Sequence, residues 1–123
     1  MTDPEPTTEP TPELSAEDRK LVTLARATRA RVGATEGAAL RDGDGRTYAA
    51  ATVDLPSMRL SAVRACVAMA VASGAHGLEA VVVLGESGDV TGADLDAVRD
   101  LGGPDVVVHA GDPRGTITAT TAT

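Results

Sequence analysis

The side chains that could hold a metal ion or attack a substrate are few in this 123-residue chain. A zinc site would draw on its two histidines, His76 and His109, and on its one cysteine, Cys66. Neither histidine belongs to a His-X-Glu or Cys-X-X-Cys pattern, so the sequence shows no metal motif of that kind. Cys66 lies inside an apolar run, which is typical of a small buried residue, and a single cysteine fits a reducing compartment.

The aspartates offer one calcium-like string, Asp42-Gly-Asp-Gly45, but it lacks the later ligands and the terminal glutamate of an EF-hand loop. Asp-Gly pairs tolerate positive φ, and this string separates two extended runs at 37–41 and 46–53. We therefore predict the turn of a β-hairpin here, and the calcium interpretation is the weaker one.

Basic side chains concentrate on the first predicted helix, which carries five of the eleven in the chain: Arg19, Lys20, Arg26, Arg29 and Arg31. Such a face either binds an acidic partner or is an ordinary solvated surface, and we favour the second interpretation. The formal net charge of −7 argues against a basic field strong enough for nucleic acid. A nucleic-acid partner is therefore not expected.

Two apolar runs in the middle of the chain must position any site. Residues 60–74 are apolar on nearly all sides and end in Ser-Gly, which predicts a buried helix with a glycine C-cap. Residues 78–84 are rich in valine, which predicts a central strand covered on both faces. A buried helix that leads into such a strand is half of a three-layer α/β domain.

Helix caps and turns place the remaining elements around this pair. Ser15 and Thr91 are predicted N-caps, because an acid follows each of them three residues later. Strands at 105–110 and 116–120 are separated by a short turn and are therefore expected to be antiparallel neighbours. We predict an α/β fold with a mixed sheet of about five strands and helices on both faces.

Composition sets the limits of the domain. Residues 1–13 hold four of the seven prolines and four acids, which predicts a disordered acidic Pro/Thr-rich tail before one domain at 14–123. With no Phe or Trp and one Tyr, the core buries little apolar area per residue, so we expect a homo-oligomer. No segment resembles a signal peptide or a membrane span, so we expect a cytoplasmic protein without membrane contact.

Three strings, in this order, resemble the cytidine deaminase family of the zinc nucleoside deaminase superfamily. Gly37-Ala-Ala-Leu40 is similar to the family's Val-Gly-Ala-Ala-Leu on the first strand, and Asp44-Gly-Arg-Thr-Tyr48 to its Asp-Gly-X-X-Tyr turn. The stretch from Arg64 to Gly74 is similar to the helix that carries the family's catalytic motif. The resemblance covers about residues 15 to 118 and implies a three-layer cytidine-deaminase-like fold. It also implies that the expected homo-oligomer is a dimer or a tetramer.

The resemblance also shows where the family's zinc ligands and catalytic glutamate would stand. Zinc deaminases need three His or Cys ligands and a glutamate that moves protons. The family supplies one ligand and the glutamate in Cys/His-Ala-Glu-Arg, where this chain has Ser61-Ala-Val63-Arg64. It supplies two more ligands in Pro-Cys-X-X-Cys, where Thr91 and Asp94 stand. Hydroxyls are poor zinc ligands and valine accepts no proton, so no catalytic residue, no metal and no cofactor are expected.

The positions that would contact a nucleoside are also altered. Thr52-Val-Asp54 is similar to the family's Asn-X-Glu, which holds the ribose. The family's aromatic residue that stacks on the base is replaced by a non-aromatic residue at or near Ala34. Without stacking, nucleoside binding through Thr52 and Asp54 is expected to be weak. At the former zinc site we predict an ion pair between Arg64 and Asp94.

Three functional hypotheses follow. The favoured one is a cytidine-deaminase-like pseudoenzyme that has lost zinc-dependent deamination and serves as a non-catalytic structural or interaction module, with an unidentified protein partner. The first alternative is a nucleoside deaminase or metal-dependent hydrolase with a rebuilt site that uses Asp54, Asp94, Asp96 or a histidine. The second alternative is a nucleoside sensor that binds without turnover.

Overall fold

The computed structural model describes residues 14–123, and the tail predicted at 1–13 lies outside the described residues. Three helices are present in the described part: α1 (Ala16–Val32), α2 (Ala62–Ala72) and α3 (Gly92–Gly102). Seven strands accompany them there: β1 (Glu36–Asp42), β2 (Thr47–Ala51), β3 (Val53–Leu55), β4 (Met58–Leu60), β5 (Leu78–Gly85), β6 (Val107–Gly111) and β7 (Ile117–Ala122). None of the helices in residues 14–123 combines the length and the apolar character needed to cross a membrane.

Five of the strands form one mixed sheet in the order β2-β1-β5-β6-β7. β5 and β6 are parallel, and the other neighbours are antiparallel, which confirms the prediction for the last two strands. The parallel step passes through α3, since parallel neighbours need a crossover connection. Among the described residues, β2 and β7 are the edges of this sheet.

Helices cover both faces of the sheet. Leu21 of α1 packs with Val82 on one face, while α2 and α3 pack with Val81 and Val83 on the other. Successive residues of β5 therefore point into different apolar clusters, and both clusters are buried. This confirms the three-layer α/β fold and the central strand predicted from the valine-rich run.

A second sheet, of β3 and β4, is absent from the sequence-based prediction. The extended run predicted at 46–53 ends as β2 at Ala51, and the expected loop before α2 forms a short hairpin across Pro56 and Ser57. The chain leaves the main sheet at Thr52, whose hydroxyl accepts from the Glu36 N–H at 3.0 Å. Three-residue strands are too short to show a periodic pattern, so the sequence could not reveal them.

A polar network fixes the start of α1 to the sheet. Asp18, in the first turn of α1, lies 3.0 Å from His109 Nε2 on β6 and accepts from Arg41 on β1 at 3.0 Å. Arg41 also donates to Glu79 on β5 at 2.7 Å. His109 Nδ1 lies 3.0 Å from the Thr120 hydroxyl on β7. His109 is thus engaged in holding α1, β6 and β7 together.

Candidate functional site

The first turns of α2 and α3 are joined by a hydrogen bond between side chains. Ser61, which precedes α2, donates its hydroxyl to Asp94 Oδ1 at 2.6 Å. The same hydroxyl accepts from the Arg64 N–H at 3.1 Å and so caps α2. Thr91 caps α3 in the same way, with the Asp94 N–H as donor at 3.1 Å. The structure therefore brings together Ser61, Thr91 and Asp94, which the resemblance places at the three zinc-ligand positions.

The donor set at this junction does not fit a zinc ion. The Ser61 and Thr91 hydroxyls already serve as helix caps, and neutral hydroxyls are poor zinc ligands. Val63 is fully buried in the core and carries no polar side-chain atom. His109 belongs to the α1 network, and His76 lies in the loop before β5. Within residues 14–123, no group of three or more His, Cys, Asp or Glu side chains is arranged to hold a metal.

The predicted ion pair between Arg64 and Asp94 is wrong. Among the ion pairs of the described residues, none includes Arg64, whose side chain is exposed. Asp94 accepts the Ser61 hydroxyl instead. Burying a guanidinium costs more free energy than burying a hydroxyl, so the short neutral donor takes the buried position and the arginine stays in water.

Asp94 is a buried carboxylate with one unfilled acceptor. The residue is 1% exposed, and no donor in the described part of the chain contacts its Oδ2. Asp94 lies in the first turn of α3 and next to the start of α2. Helix N-termini carry partial positive charge, which favours a carboxylate. A buried polar atom without a partner is nevertheless costly, and native proteins usually pair such atoms with water or a ligand.

Glu36, the first residue of β1, is the site residue that the sequence interpretation missed. Its side chain is half-buried, and burial, followed by the charge of Asp94, raises the pKa of Glu36, while the Ala62 N–H acts in the opposite direction. The two carboxyl groups are therefore close enough to repel each other when both are charged. Gly85 on the paired strand leaves room for this side chain, since a Cβ there would lie 2.9 Å from Glu36 Cγ. The sequence signal that could have indicated Glu36 is an acidic residue at the start of a buried strand.

Glu36 and Ser61 line an open cleft of about 350 Å³. Its polar lining consists of Glu36, Thr52, Asp54, Arg59, Ser61 and Arg64. Both predicted substrate contacts therefore lie on this cleft, but each has an internal partner. The Thr52 hydroxyl is bonded to the backbone of Glu36, and Asp54 pairs with Arg59 at 3.2 Å across the β3–β4 hairpin.

Three further residues singled out in the sequence add no polar group to this cleft. Ala34 is half-buried before β1 and offers no aromatic surface, and Asp96 is exposed on α3 and does not line the cleft. Cys66 is buried in the core, where its Sγ lies 3.3 Å from the Tyr48 carbonyl oxygen. Burial raises the pKa of Cys66 to about 12, so the side chain remains a thiol.

A five-stranded mixed sheet lies between helix layers in this α/β domain, and the starts of α2 and α3 meet at one polar junction. The chain belongs to the cytidine deaminase-like family, whose model matches residues 14–115. No curated protein matches the chain.

Solved structures show the same fold. The cytidine deaminase from Burkholderia pseudomallei is 25% identical with a TM-score of 0.74, and the match covers 85% of this chain and 91% of that one. The Mycobacterium leprae enzyme is 22% identical with a TM-score of 0.69, over 88% and 94% of the two chains. The Mycobacterium tuberculosis enzyme is 24% identical with a TM-score of 0.65, over 76% and 85%.

Proposed function

We propose that this chain is a non-catalytic member of the cytidine deaminase-like family that serves as a structural or interaction module. The observation that carries the proposal is the 2.6 Å hydrogen bond from Ser61 to Asp94. By resemblance, the family's zinc ion would lie between the starts of α2 and α3. Here one hydroxyl and one carboxylate join the two helices directly, so the scaffold holds together without an ion.

The side chains around the junction support the loss of deamination. The family's reaction needs an activated water and a carboxylate that carries protons. Val63 stands at the position of that carboxylate and is fully buried. Glu36 is a nearby carboxyl group, but it lies on β1 and not on α2. The side chains at the junction also do not fit the zinc ion that would activate the water.

Zinc content and turnover test this proposal together. Protein dialysed against metal-free buffer should contain far less than one zinc per chain by elemental analysis, and it should leave cytidine and deoxycytidine unchanged. Stoichiometric zinc, with a turnover that a chelator abolishes, would refute the proposal and support the alternative of a deaminase or metal-dependent hydrolase with a rebuilt site.

Restoring thiolates at the junction supplies a positive control. A variant with Ser61→Cys, Thr91→Cys and Asp94→Cys should bind one zinc per chain, because three thiolates then meet where the helices start. The matched control carries only the changes at 91 and 94 and should hold zinc more weakly. Equal zinc binding by both variants would mean that position 61 does not face the junction in solution.

A nucleoside sensor without turnover is the second candidate, because Thr52 and Asp54 line the same cleft as Glu36. Cytidine or uridine should then raise the melting temperature in proportion to its concentration. The Asp54→Asn variant should show a smaller rise. An unchanged melting temperature at millimolar nucleoside would remove this candidate.

We also propose self-association and a cytoplasmic location. Val32 and Met69, which are 57% and 44% exposed, line an apolar cleft of about 410 Å³ that another chain could cover. Exposed apolar surface of this kind is typical of an interaction site. The cytoplasmic location is supported by the single cysteine, since a chain adapted to an oxidising compartment commonly pairs its thiols.

A further inference from the structure

We propose that the acidic segment at residues 3–13 docks on α1 of its own chain, with its carboxylates on the basic side chains of the helix and a proline ring in a groove between α1 and β2. This inference goes beyond the proposed loss of deamination. It concerns the face of the sheet that α1 covers, whereas the proposed function rests on α2 and α3 on the other face.

The basic side chains of α1 are not neutralised within the described part of the chain. The helix bears five basic and two acidic side chains, a formal charge of +3. Arg26 and Arg29 donate to the backbone carbonyls of Arg114 and Thr35, which carry no formal charge. A basic face without internal acids favours an acidic partner. The basic residues of α1 that make no ion pair within 14–123 are Arg19, Lys20, Arg26, Arg29 and Arg31.

The segment at residues 3–13 has the complementary charge. It contains four acids and no base, and each acid adjoins a proline: Asp3, Glu5, Glu9 and Glu13. Acidic and apolar groups therefore alternate along it. A single exposed ion pair contributes little to stability, but several pairs on one segment act together when that segment is joined covalently to the surface it contacts.

The segment is long enough to follow the whole helix. A proline-rich chain in an extended conformation rises about 3.1 Å per residue, so residues 3–13 would span about 34 Å. The 17 residues of α1 span about 25 Å. Ser15 caps the start of α1 two positions after Glu13, so the spare length allows the chain to reverse direction and run back along the helix.

A groove beside α1 provides an apolar contact. It has a volume of about 340 Å³ and is lined by Lys20, Thr23, Leu24 and Thr47. Leu24 is 36% exposed and lies on the same side of the helix as Lys20, four residues earlier. A proline ring on Leu24 would leave the adjacent carboxylate close to Lys20. Nucleic acid is a poorer occupant, because it would meet an overall formal charge of −7.

A nitroxide label on the full chain tests the docking. Thr8→Cys supplies a thiol within the segment, and the buried Cys66 should stay unlabelled in native buffer. The label broadens amide NMR signals of nearby residues. At about 0.05 M salt we expect the broadening at 26–32, in the second half of α1, to exceed that of α3 about threefold or more, and to be mostly lost at about 1 M. Equal broadening of the two helices would overturn the proposal.

Charge variants separate docking from the mere attachment of the segment to α1. Lys20→Gln combined with Arg31→Gln should lower the broadening at 26–32 about twofold. Arg99→Gln, an exposed arginine on α3, is the matched control and should leave it unchanged. All three side chains are exposed, so these changes leave the core intact.

A neutral segment gives the stronger test. It should lower the broadening at 26–32 about threefold or more, because the ion pairs with α1 are then absent. Unchanged broadening would overturn the proposal. This variant carries Asp3→Asn, Glu5→Gln, Glu9→Gln and Glu13→Gln.

A mixed sample identifies which chain supplies the segment. Spin-labelled chains without NMR isotopes are mixed with isotope-labelled chains without the spin label, and little broadening is expected. Strong broadening in this sample would assign the α1 face to the segment of a second copy and overturn docking within one chain. If a short single-stranded oligonucleotide shifts the α1 signals and the spin label does not broaden them, the face binds nucleic acid and the proposal is overturned.

Discussion

At the scale of single residues, one hydroxyl stabilises two helices. Ser61 caps α2 and donates to the buried Asp94, so Ser61→Ala removes a cap and leaves a buried carboxylate without a donor. We expect a loss of about 3 kcal/mol in the free energy of unfolding, measured by urea denaturation. Ser61→Thr keeps the hydroxyl and should retain most of the stability. A loss below about 0.5 kcal/mol in Ser61→Ala would mean that the hydrogen bond is not formed in solution.

Glu36 gives the stability of the protein an unusual pH dependence. Its pKa is raised in the folded state, so the native state binds more protons than the unfolded state between the unfolded and folded values. Its contribution therefore favours folding below the unfolded pKa and is lost as the pH rises through the folded pKa. Glu36→Gln should raise the melting temperature at pH 8 by about 2 °C and have little effect at pH 4. Glu86→Gln is the exposed control, and an equal effect at both pH values would contradict the prediction.

Cys66 should be inert in the folded protein. The thiolate is the reactive form, and burial raises the pKa of Cys66 to about 12. We expect almost no reaction with a thiol reagent at pH 8 in native buffer and one thiol per chain after denaturation. Rapid labelling of the native protein would show that α2 opens from the sheet.

The sequence predicts which residues lie at the starts of α2 and α3, but it does not predict how they pair or that Glu36 lies near them. Ser61, Thr91 and Asp94 follow from aligned strings, because helix starts keep their positions when side chains change. The Arg64–Asp94 pair was wrong, since opposite charges in a sequence do not show which of them is buried. The environment of Glu36 depends on the space left by Gly85 and on the charge of Asp94. Gly85 and Asp94 are far from Glu36 in the sequence and become its neighbours only in the folded chain.

At the scale of elements, the docking of α1 depends on Asp18. Burial alone would raise its pKa, but hydrogen bonds from His109 and Arg41 outweigh burial and hold the pKa of Asp18 below its usual value. This stabilisation is present above the unfolded pKa and is lost as the pH falls through the folded one. Asp18→Asn should cost about 1–3 kcal/mol at pH 7, and the cost should shrink in acid as the pH falls through the lowered pKa of Asp18. Glu17→Gln, an exposed neighbour, should change stability little at either pH, and a similar cost in both variants would contradict the prediction.

Element types were easier to predict than their ends. The caps at Ser15 and Thr91 and the valine-rich strand are local signals, and the structure confirms them. The β3–β4 hairpin escaped prediction because it forms where Thr52 bonds to Glu36, a contact between residues sixteen positions apart. Such a contact depends on the pairing of β1 with β2, so a local sequence pattern does not reveal it.

At the scale of the whole molecule, exposed apolar side chains indicate where chains would associate. If the proposed self-association uses the apolar cleft at Val32 and Met69, Met69→Glu should lower the mass measured by light scattering to that of one chain. Val71→Glu is the matched control, because Val71 is 55% exposed on the same helix and lines a different groove, with α3. A large mass that persists in Met69→Glu would place the interface elsewhere.

The strand β7 has a consequence for the behaviour of concentrated protein. It lies at one edge of the described sheet, is largely exposed and reads Ile-Thr-Ala-Thr-Thr-Ala from 117 to 122, without a charge or a proline. An unguarded edge of this kind leaves backbone amides and carbonyls free to pair with the edge of another molecule. Two sheets joined in this way would continue as one across both molecules, and a single lysine at position 119 should suppress such fibre-like growth while leaving the buried core untouched.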